Sequence, residues 1–301
     1  MSVNSISLIG TRAVSVGVHE KAEPGDTRRR FPAARIGRGF IGPLKRHESP
    51  DRVLQLLRGF AKTWRDGGVY VSYKPSPEEV STGRWTAVHR EIGEWLADHP
   101  WVGIIVHHEP EGGRGSLDGG TFRAVFNRSR DEIKAGWPGA RVAYCAMAYQ
   151  WRPGGSAAKR PAAWQRVEAD EYLCDVYSGR NGENGSFRGD LILPEHPGFV
   201  GWFSAIVRPR LEAGGTVAYG LGERGFMGED TLRAATIRRE RAWLDAVFDR
   251  YATGRRPIDQ PPSVYLAWNT PGWEDETGWV LTGDSAVAMR ELTDALAEHV
   301  R

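Results

Sequence analysis

The sequence predicts an α/β fold, a (β/α)8 TIM barrel. Short β-rich runs alternate with amphipathic helical stretches along the chain, which argues for a parallel sheet with crossover helices. Eight such runs can be counted, the number that closes a barrel. No Gly-rich phosphate loop follows the first run, as it would more often in an open doubly wound sheet. The 301 residues are therefore read as one barrel over 1–301, a length ordinary for a core of about 250 residues plus loops.

The elements follow in order. The first strand is expected within Thr11–Val18 and the second near Ala34–Phe40. Ser49-Pro50-Asp51 then supplies a cap with Pro in the first helical turn. Val53, Leu56, Leu57, Phe60 and Trp64 recur at helical spacing, and Gly67-Gly68 stops the run. Strand three is expected at Val69–Tyr73, followed by a helix over about Ser81–Asp98 with Trp85, Val88, Ile92, Trp95 and Leu96 on one side. Val102–Val106 is an unbroken apolar run, as in a strand buried on both faces. A helix over about Gly120–Ala135 leads to strand five at Arg141–Ala148. Strand six is about Tyr172–Tyr177, and a helix is expected near Gly198–Ala213. Strand seven is Thr216–Leu221, followed by a long helix from about Asp230 to Tyr251. Strand eight is Ser263–Trp268, and the last helix covers about Ser285–Val300.

Composition excludes several function classes. Forty Lys+Arg stand against 38 Asp+Glu, so the balance calls for no polyanionic partner such as nucleic acid. The short basic runs Arg28–Arg30 and Arg238–Arg241 read as a solvated loop and a solvated helix face. No stretch holds about 20 consecutive apolar residues, so no helix is expected to span a membrane. The N-terminal stretch lacks the basic start and apolar core of a signal peptide, so no export signal is expected and the compartment stays open between cytoplasmic and phage-associated. Cys145 and Cys174 cannot build a disulfide framework, and buried thiols are favoured over a single pairing. The 12 tryptophans are many for this length, and several fall between periodic segments. Exposed indole in loops is costly unless covered, and the C–H faces of sugar rings are one such cover.

In a barrel of this kind, chemistry gathers at the C-terminal ends of the strands. Past strand three come Lys74-Pro75, and past strand four His107-His108-Glu109-Pro110-Glu111. Tyr149 and Trp151 follow strand five, and Asp175 and Tyr177 end strand six. Gly222-Glu223-Arg224-Gly225 follows strand seven, and Trp268-Asn269 closes strand eight. Glycosidic cleavage needs a proton for the leaving oxygen and a carboxylate for the oxocarbenium-like transition state. Glu109 and Glu223, reaching inward from well-separated strands, can flank one bond. At about 5–5.5 Å apart, the second carboxylate attacks directly and configuration is retained. Such proximity also pushes the two pKa values apart.

Either glutamate alone also fits a surface loop. Lys74 alone fits a solvated strand end, and Tyr149, Trp151 and Tyr177 fit core or rim packing. Trp273 and Trp279 fit a cleft wall or a pin for their loop. His107-His108-Glu109 invites a metal site, but adjacent strand residues point to opposite faces, and no other histidine lies at ligand spacing, so no metal is expected.

His108-Glu109-Pro110-Glu111 together with Gly222-Glu223 resembles the barrel glycoside hydrolases of clan A. A His before the acid/base Glu, where most of the clan has Asn, resembles glycoside hydrolase family 26, typified by β-mannanases. Ser72-Tyr73-Lys74-Pro75 and Ser81-Thr82-Gly83 look like actinobacterial and phage members with a family-26-like domain. The resemblance implies Glu109 as acid/base and Glu223 as nucleophile. It implies His108 as an orienting group, Tyr177 as a hydrogen-bond donor to the nucleophile, and Trp268 as the stacking platform. The remaining mouth residues, Lys74, Tyr149, Trp151, Asp175 and Asn269, would contact substrate. HEPE departs from the HEMNG of mannanases, and Arg224 stands where Phe is common, so mannan does not follow. The expectation is a retaining glycosidase on a polysaccharide or cell-wall glycan, needing no cofactor. A non-catalytic sugar-binding barrel of a phage or envelope assembly is the alternative, and a metal-dependent hydrolase comes third.

Overall fold

The computed structural model describes residues 15–19, 24–41, 50–65, 67–112, 116–178, 191–254, 260–269 and 280–299. Eight parallel strands form a closed barrel in chain order, β1 pairing with both β2 and β8. The strands are β1 (Ser15–His19), β2 (Ile36–Phe40), β3 (Gly68–Tyr73), β4 (Val102–Val106), β5 (Arg141–Met147), β6 (Glu171–Ser178), β7 (Ala218–Phe226) and β8 (Val264–Trp268). The helices are α1 (Pro24–Arg30), α2 (Pro50–Thr63), α3 (Pro77–Ser81), α4 (Thr86–Ala97), α5 (Gly119–Gly136), α6 (Pro161–Gln165), α7 (Pro197–Trp202), α8 (Arg208–Glu212), α9 (Asp230–Gly254) and α10 (Gly283–Glu298). Among the described residues, no helix is long and apolar enough to cross a membrane.

Each predicted strand has a counterpart, although residues 11–14 of the first expectation lie outside the described residues. Three differences have physical causes. The helix expected at Ser81–Asp98 begins only at Thr86, as α4, because Gly83 takes a left-handed φ of 84° and separates it from the short α3 that ends at Ser81. Arg28–Arg30 form the last turn of α1, not a loop. Strand seven runs on to Phe226, so Glu223 lies within β7 and not beyond it.

Side chains alternate across the barrel wall. Ile36, Tyr70, Ile105, Ala143, Cys145, Leu173, Val264 and Leu266 fill the interior. The opposite phase packs in a larger layer beneath the helices, where Val69, Val71, Val102, Ile104, Tyr144, Leu221 and Tyr265 meet residues such as Leu57, Leu96, Phe122 and Leu292. At Gly37 and Gly39 any Cβ would meet the rings of Trp64 and Phe60, so glycine lets α2 lie directly against the β2 backbone. Cys145 and Cys174 are both buried free thiols, the first inside the barrel and the second in the outer layer.

Strand β7 breaks the alternation. Cys174 pairs with Leu221 and Asp175 with Glu223, leaving Gly222 as an extra residue in a β-bulge. Without it, Glu223 would share the outward phase of Tyr219 and Leu221. The bulge reverses the phase, sending Glu223 inward and Arg224 outward. Only glycine fits there, since a Cβ would lie 2.5 Å from Asp175 Oδ1 and 2.7 Å from Cys145 Sγ.

Candidate active site

Glu223 projects into the barrel mouth and is 7% exposed. The Tyr177 hydroxyl donates a hydrogen bond to its Oε2, and Arg38 Nε lies 3.9 Å from its Oε1. Burial raises the Glu223 pKa, while Arg38, Tyr177 and Lys74 pull it back toward the carboxylate.

Glu109 sits beyond β4 on a tightly folded segment. His107 and Glu109 both have left-handed backbones, with φ of 54° and 51°. Non-glycine residues hold that conformation only where surrounding bonds compensate. Here the His107 N–H donates to Tyr73 O at 2.9 Å and the Glu109 N–H to Cys145 O at 2.8 Å. The His107 ring N–H at Nε2 donates to Pro75 O at 2.8 Å. Burial pushes the Glu109 carboxyl up to about 8, with the Glu223 charge the next largest cause; Lys74 and Arg38 oppose them. The two glutamates therefore share one electrostatic environment in which Glu109 holds its proton well above the usual carboxylate range.

The second glutamate of the motif has a different role. Glu111 is buried and accepts hydrogen bonds from the Tyr144 hydroxyl, from Trp151 Nε1 at 3.0 Å and from Met147 N at 3.1 Å. It fastens the loop after β4 to β5. Trp151, expected to touch substrate, is 1% exposed and spends its indole N–H on Glu111. It is a core residue, with no ring face available to a sugar.

Other expected site residues fall in several places. His108 is buried against the edge of Phe40, with ring centroids 5.2 Å apart. Burial, then Lys74 and Arg38, depress its pKa well below the usual histidine value, so the imidazole is neutral. Trp268 is half-buried and meets Tyr177 and Phe40 edge-on at 6.3 and 6.2 Å. His108, Phe40, Trp268 and Tyr177 thus form one aromatic arc beside Glu223. Asp175 lies lower in the barrel, buried, accepting from Cys145 Sγ at 3.1 Å. Burial and then the Glu223 charge raise its pKa well above the ordinary range. Lys74 is half-buried, its pKa lowered by burial and supported by Glu109 and Asp175.

Tyr149 stands on the short 3-10 turn after β5, under the Arg152 guanidinium at 4.0 Å, and accepts from Arg152 Nη2 at 2.5 Å. Asn269 is buried and its Oδ1 accepts from the Leu281 N–H at 2.6 Å, tying the strand end to the start of α10. That bond is structural, so Asn269 does not offer this oxygen to a ligand. Trp273 and Trp279 lie outside the described residues.

The two histidines part for a reason other than strand alternation. Residues 107–109 are not strand; the His107 ring is engaged by Pro75 while His108 turns to Phe40. Among the described residues, no three His, Cys, Asp or Glu side chains are grouped to hold a metal ion. Sequence reasoning missed Arg38 and Phe40. Their signal was a charged residue two positions before an aromatic in IGRGF, the alternation of one inward strand face.

No family model and no curated protein matches the chain. Solved structures do. A family 26 β-mannanase from Bacteroides ovatus aligns with a TM-score of 0.54 at 11% identity, over 97% of this chain and 93% of that one. The catalytic domain of a family 53 glycoside hydrolase from Ignisphaera aggregans gives 0.55 at 11% identity, over 95% and 92%. A modular endo-β-1,4-mannanase from Cellulomonas fimi gives 0.56 at 14% identity, over 96% and 72%. The chain shares their (β/α)8-barrel fold. At these identities the likeness is one of fold, and the chemistry rests on the residues at the mouth.

Proposed function

We propose that this protein is a retaining glycoside hydrolase acting on a polysaccharide or cell-wall glycan. The carrying observation is the pair of unlike glutamates at one barrel mouth: Glu109 held protonated to about 8, and Glu223 held by Tyr177 and Arg38. Glycosidic cleavage by double displacement asks for one carboxyl of each kind. The shared fold with glycoside hydrolases supports this reading.

In the first step a Glu223 oxygen attacks the anomeric carbon. The bond to the leaving oxygen breaks with its electron pair, and that oxygen takes the Glu109 proton. In the second step water attacks the same carbon, gives a proton to Glu109, and the ester bond returns its pair to Glu223. Tyr177 and Arg38 orient the nucleophile, and the arc of His108, Phe40 and Trp268 gives the sugar a wall. No step requires a cofactor.

The test is release of reducing ends from a panel of mannans, xylans, glucans and arabinose-containing wall polymers. Wild type should hydrolyse at least one, and Glu223→Ala should lose turnover while keeping its fold. Undiminished hydrolysis by that variant contradicts the assignment. Binding without hydrolysis by wild type would favour a sugar-binding barrel instead.

A further inference from the structure

Tyr177 holds Glu223 through its hydroxyl, but the strand that carries it outruns its neighbour. β5 pairs with β6 only as far as Met147 with Asp175, whereas β6 continues to Ser178. Val176, Tyr177 and Ser178 therefore have a strand partner on the β7 side alone. Consecutive carbonyls of a strand point to opposite neighbours. Arg224 Nη1 reaches Val176 O from the β7 side at 3.4 Å, so Tyr177 O faces the side that β5 has left.

His196 occupies that side. It is fully buried, with Nε2 3.1 Å from Tyr177 O and Nδ1 3.2 Å from Phe199 N. The Phe199 N–H can only donate, so Nδ1 accepts. The single proton of the neutral ring then stands on Nε2 and is donated to Tyr177 O. Burial and then the Arg224 guanidinium push the His196 pKa down to about 4, which keeps the ring neutral. One nitrogen caps α7, and the other supplies the hydrogen bond that a longer β5 would have given. α7 lies directly on the turn after β5, since a Cβ at Gly198 or Gly201 would stand 2.1 Å from Ala148 O or Trp151 O. Glu111 ties that same turn to the segment of Glu109. The brace on Tyr177 and the segment of the acid/base thus share one support.

Resting on the glycosidase reading, we propose that His196 is a positioning residue, which fixes the backbone of Tyr177 so that the phenol meets Glu223. A cap on α7 alone would need only an acceptor; a ring that also donates from its far edge joins α7 to the strand end of β6.

Two substitutions divide the two bonds. Asn puts an acceptor where Nδ1 stands and keeps the cap, but is too short to reach Tyr177 O. Gln carries a donor to the place of Nε2. The experiment titrates Glu223 by NMR, without substrate, in protein carrying carbon-13 at the glutamate carboxyls. Tyr177 favours the Glu223 carboxylate. His196→Asn should therefore raise the Glu223 midpoint, as Tyr177→Phe does, and His196→Gln should restore it. In a Tyr177→Phe background His196→Asn should add nothing. The other groups around Glu223, namely Arg38 of β2, Lys74 after β3, Glu109 after β4 and Asp175 of β6, are the same in every variant. A wild-type midpoint in folded His196→Asn, or an equal further rise in the Tyr177→Phe background, overturns the proposal. Nitrogen-15 histidine spectra of wild type need no variant: His196 should be the neutral Nε2–H tautomer, and a proton on Nδ1 overturns it as well.

A kinetic arm uses a glycan that wild type hydrolyses. His196→Asn should lower kcat by up to about 100-fold with little change in KM, and His196→Gln should recover most of that loss. Wild-type kcat in His196→Asn with a loss in His196→Gln would assign the ring to the α7 cap alone and overturn the proposal. If wild type hydrolyses no glycan, the glycosidase reading fails, while the titration still decides whether His196 acts on Glu223 through Tyr177.

Discussion

Glu223 and Arg224 are consecutive in β7 yet leave opposite sides of the barrel wall. Glu223 meets Tyr177 and Arg38 inside. Arg224 meets Glu240 of α9 outside, through Nε at 3.0 Å and Nη2 at 2.7 Å. The bulge at Gly222 sets which of the two faces inward, because without it alternation would place Glu223 in the helix layer.

Gly222→Ala should therefore damage function more than its single methyl suggests. The new Cβ has no room beside Asp175 and Cys145. Overpacking should cost about 1–3 kcal/mol in urea denaturation. Displacement of Glu223 should lower kcat about 100-fold. Wild-type kcat in a folded Gly222→Ala protein would show that the bulge does not aim the nucleophile.

The outward partner predicts a stability effect without direct chemistry. Arg224 and Glu240 are both fully buried, and the Tyr265 hydroxyl also donates to Glu240 at 2.7 Å. Glu240→Leu alone leaves a buried guanidinium without its carboxylate and should destabilise by about 3–5 kcal/mol. Combining it with Arg224→Met should recover most of that loss. Equal denaturation midpoints for the single and double variants would contradict this account of the pair.

The pH dependence follows from the two carboxyls. In the proposed mechanism Glu109 is protonated in the first step, and burial with the Glu223 charge raises its pKa to about 8, so kcat/KM should fall as pH rises through about 8. Stability has the same sign: a carboxyl raised in the fold favours folding below its ordinary value near 4.5 and loses that contribution as pH rises toward 8. In the same mechanism the acid limb belongs to Glu223. Tyr177→Phe removes a donor that favours its ionised form, so that limb should shift to higher pH. A limb that does not move would separate Tyr177 from the nucleophile's ionisation.

Two tryptophans separate wall from core. Trp268→Ala opens the aromatic arc and should raise KM with a small effect on thermal stability. Trp151→Ala empties a buried site and deprives Glu111 of a donor, and should cost about 3–5 kcal/mol. Thermal unfolding alongside substrate kinetics on both variants checks this, and the reverse pattern would refute the placement.

Much of the barrel was legible in local patterns. Val102–Val106 reads as a doubly buried strand because every residue is apolar, and it is one. The end of β7 was not legible, because Gly222-Glu223-Arg224-Gly225 has the composition of a polar turn and its bulge depends on register with β6. Arg38 escaped notice because an arginine in a strand usually marks the solvent face; its partner Glu223 lies 185 residues away in sequence. Trp151 reads as a rim residue because its burial depends on Glu111, a residue of another loop that accepts its indole N–H. Glu109 and Glu223 stand out in the sequence as candidates because few acids follow the expected strands.

The most direct test of the central claim is to trap the glycosyl-enzyme with 2,4-dinitrophenyl 2-deoxy-2-fluoro glycosides and map the adduct by mass spectrometry. The account predicts one glycosyl ester on Glu223, absent from Glu223→Gln. An ester on another residue, or hydrolysis of the matching glycan with inverted configuration and no adduct, would contradict it.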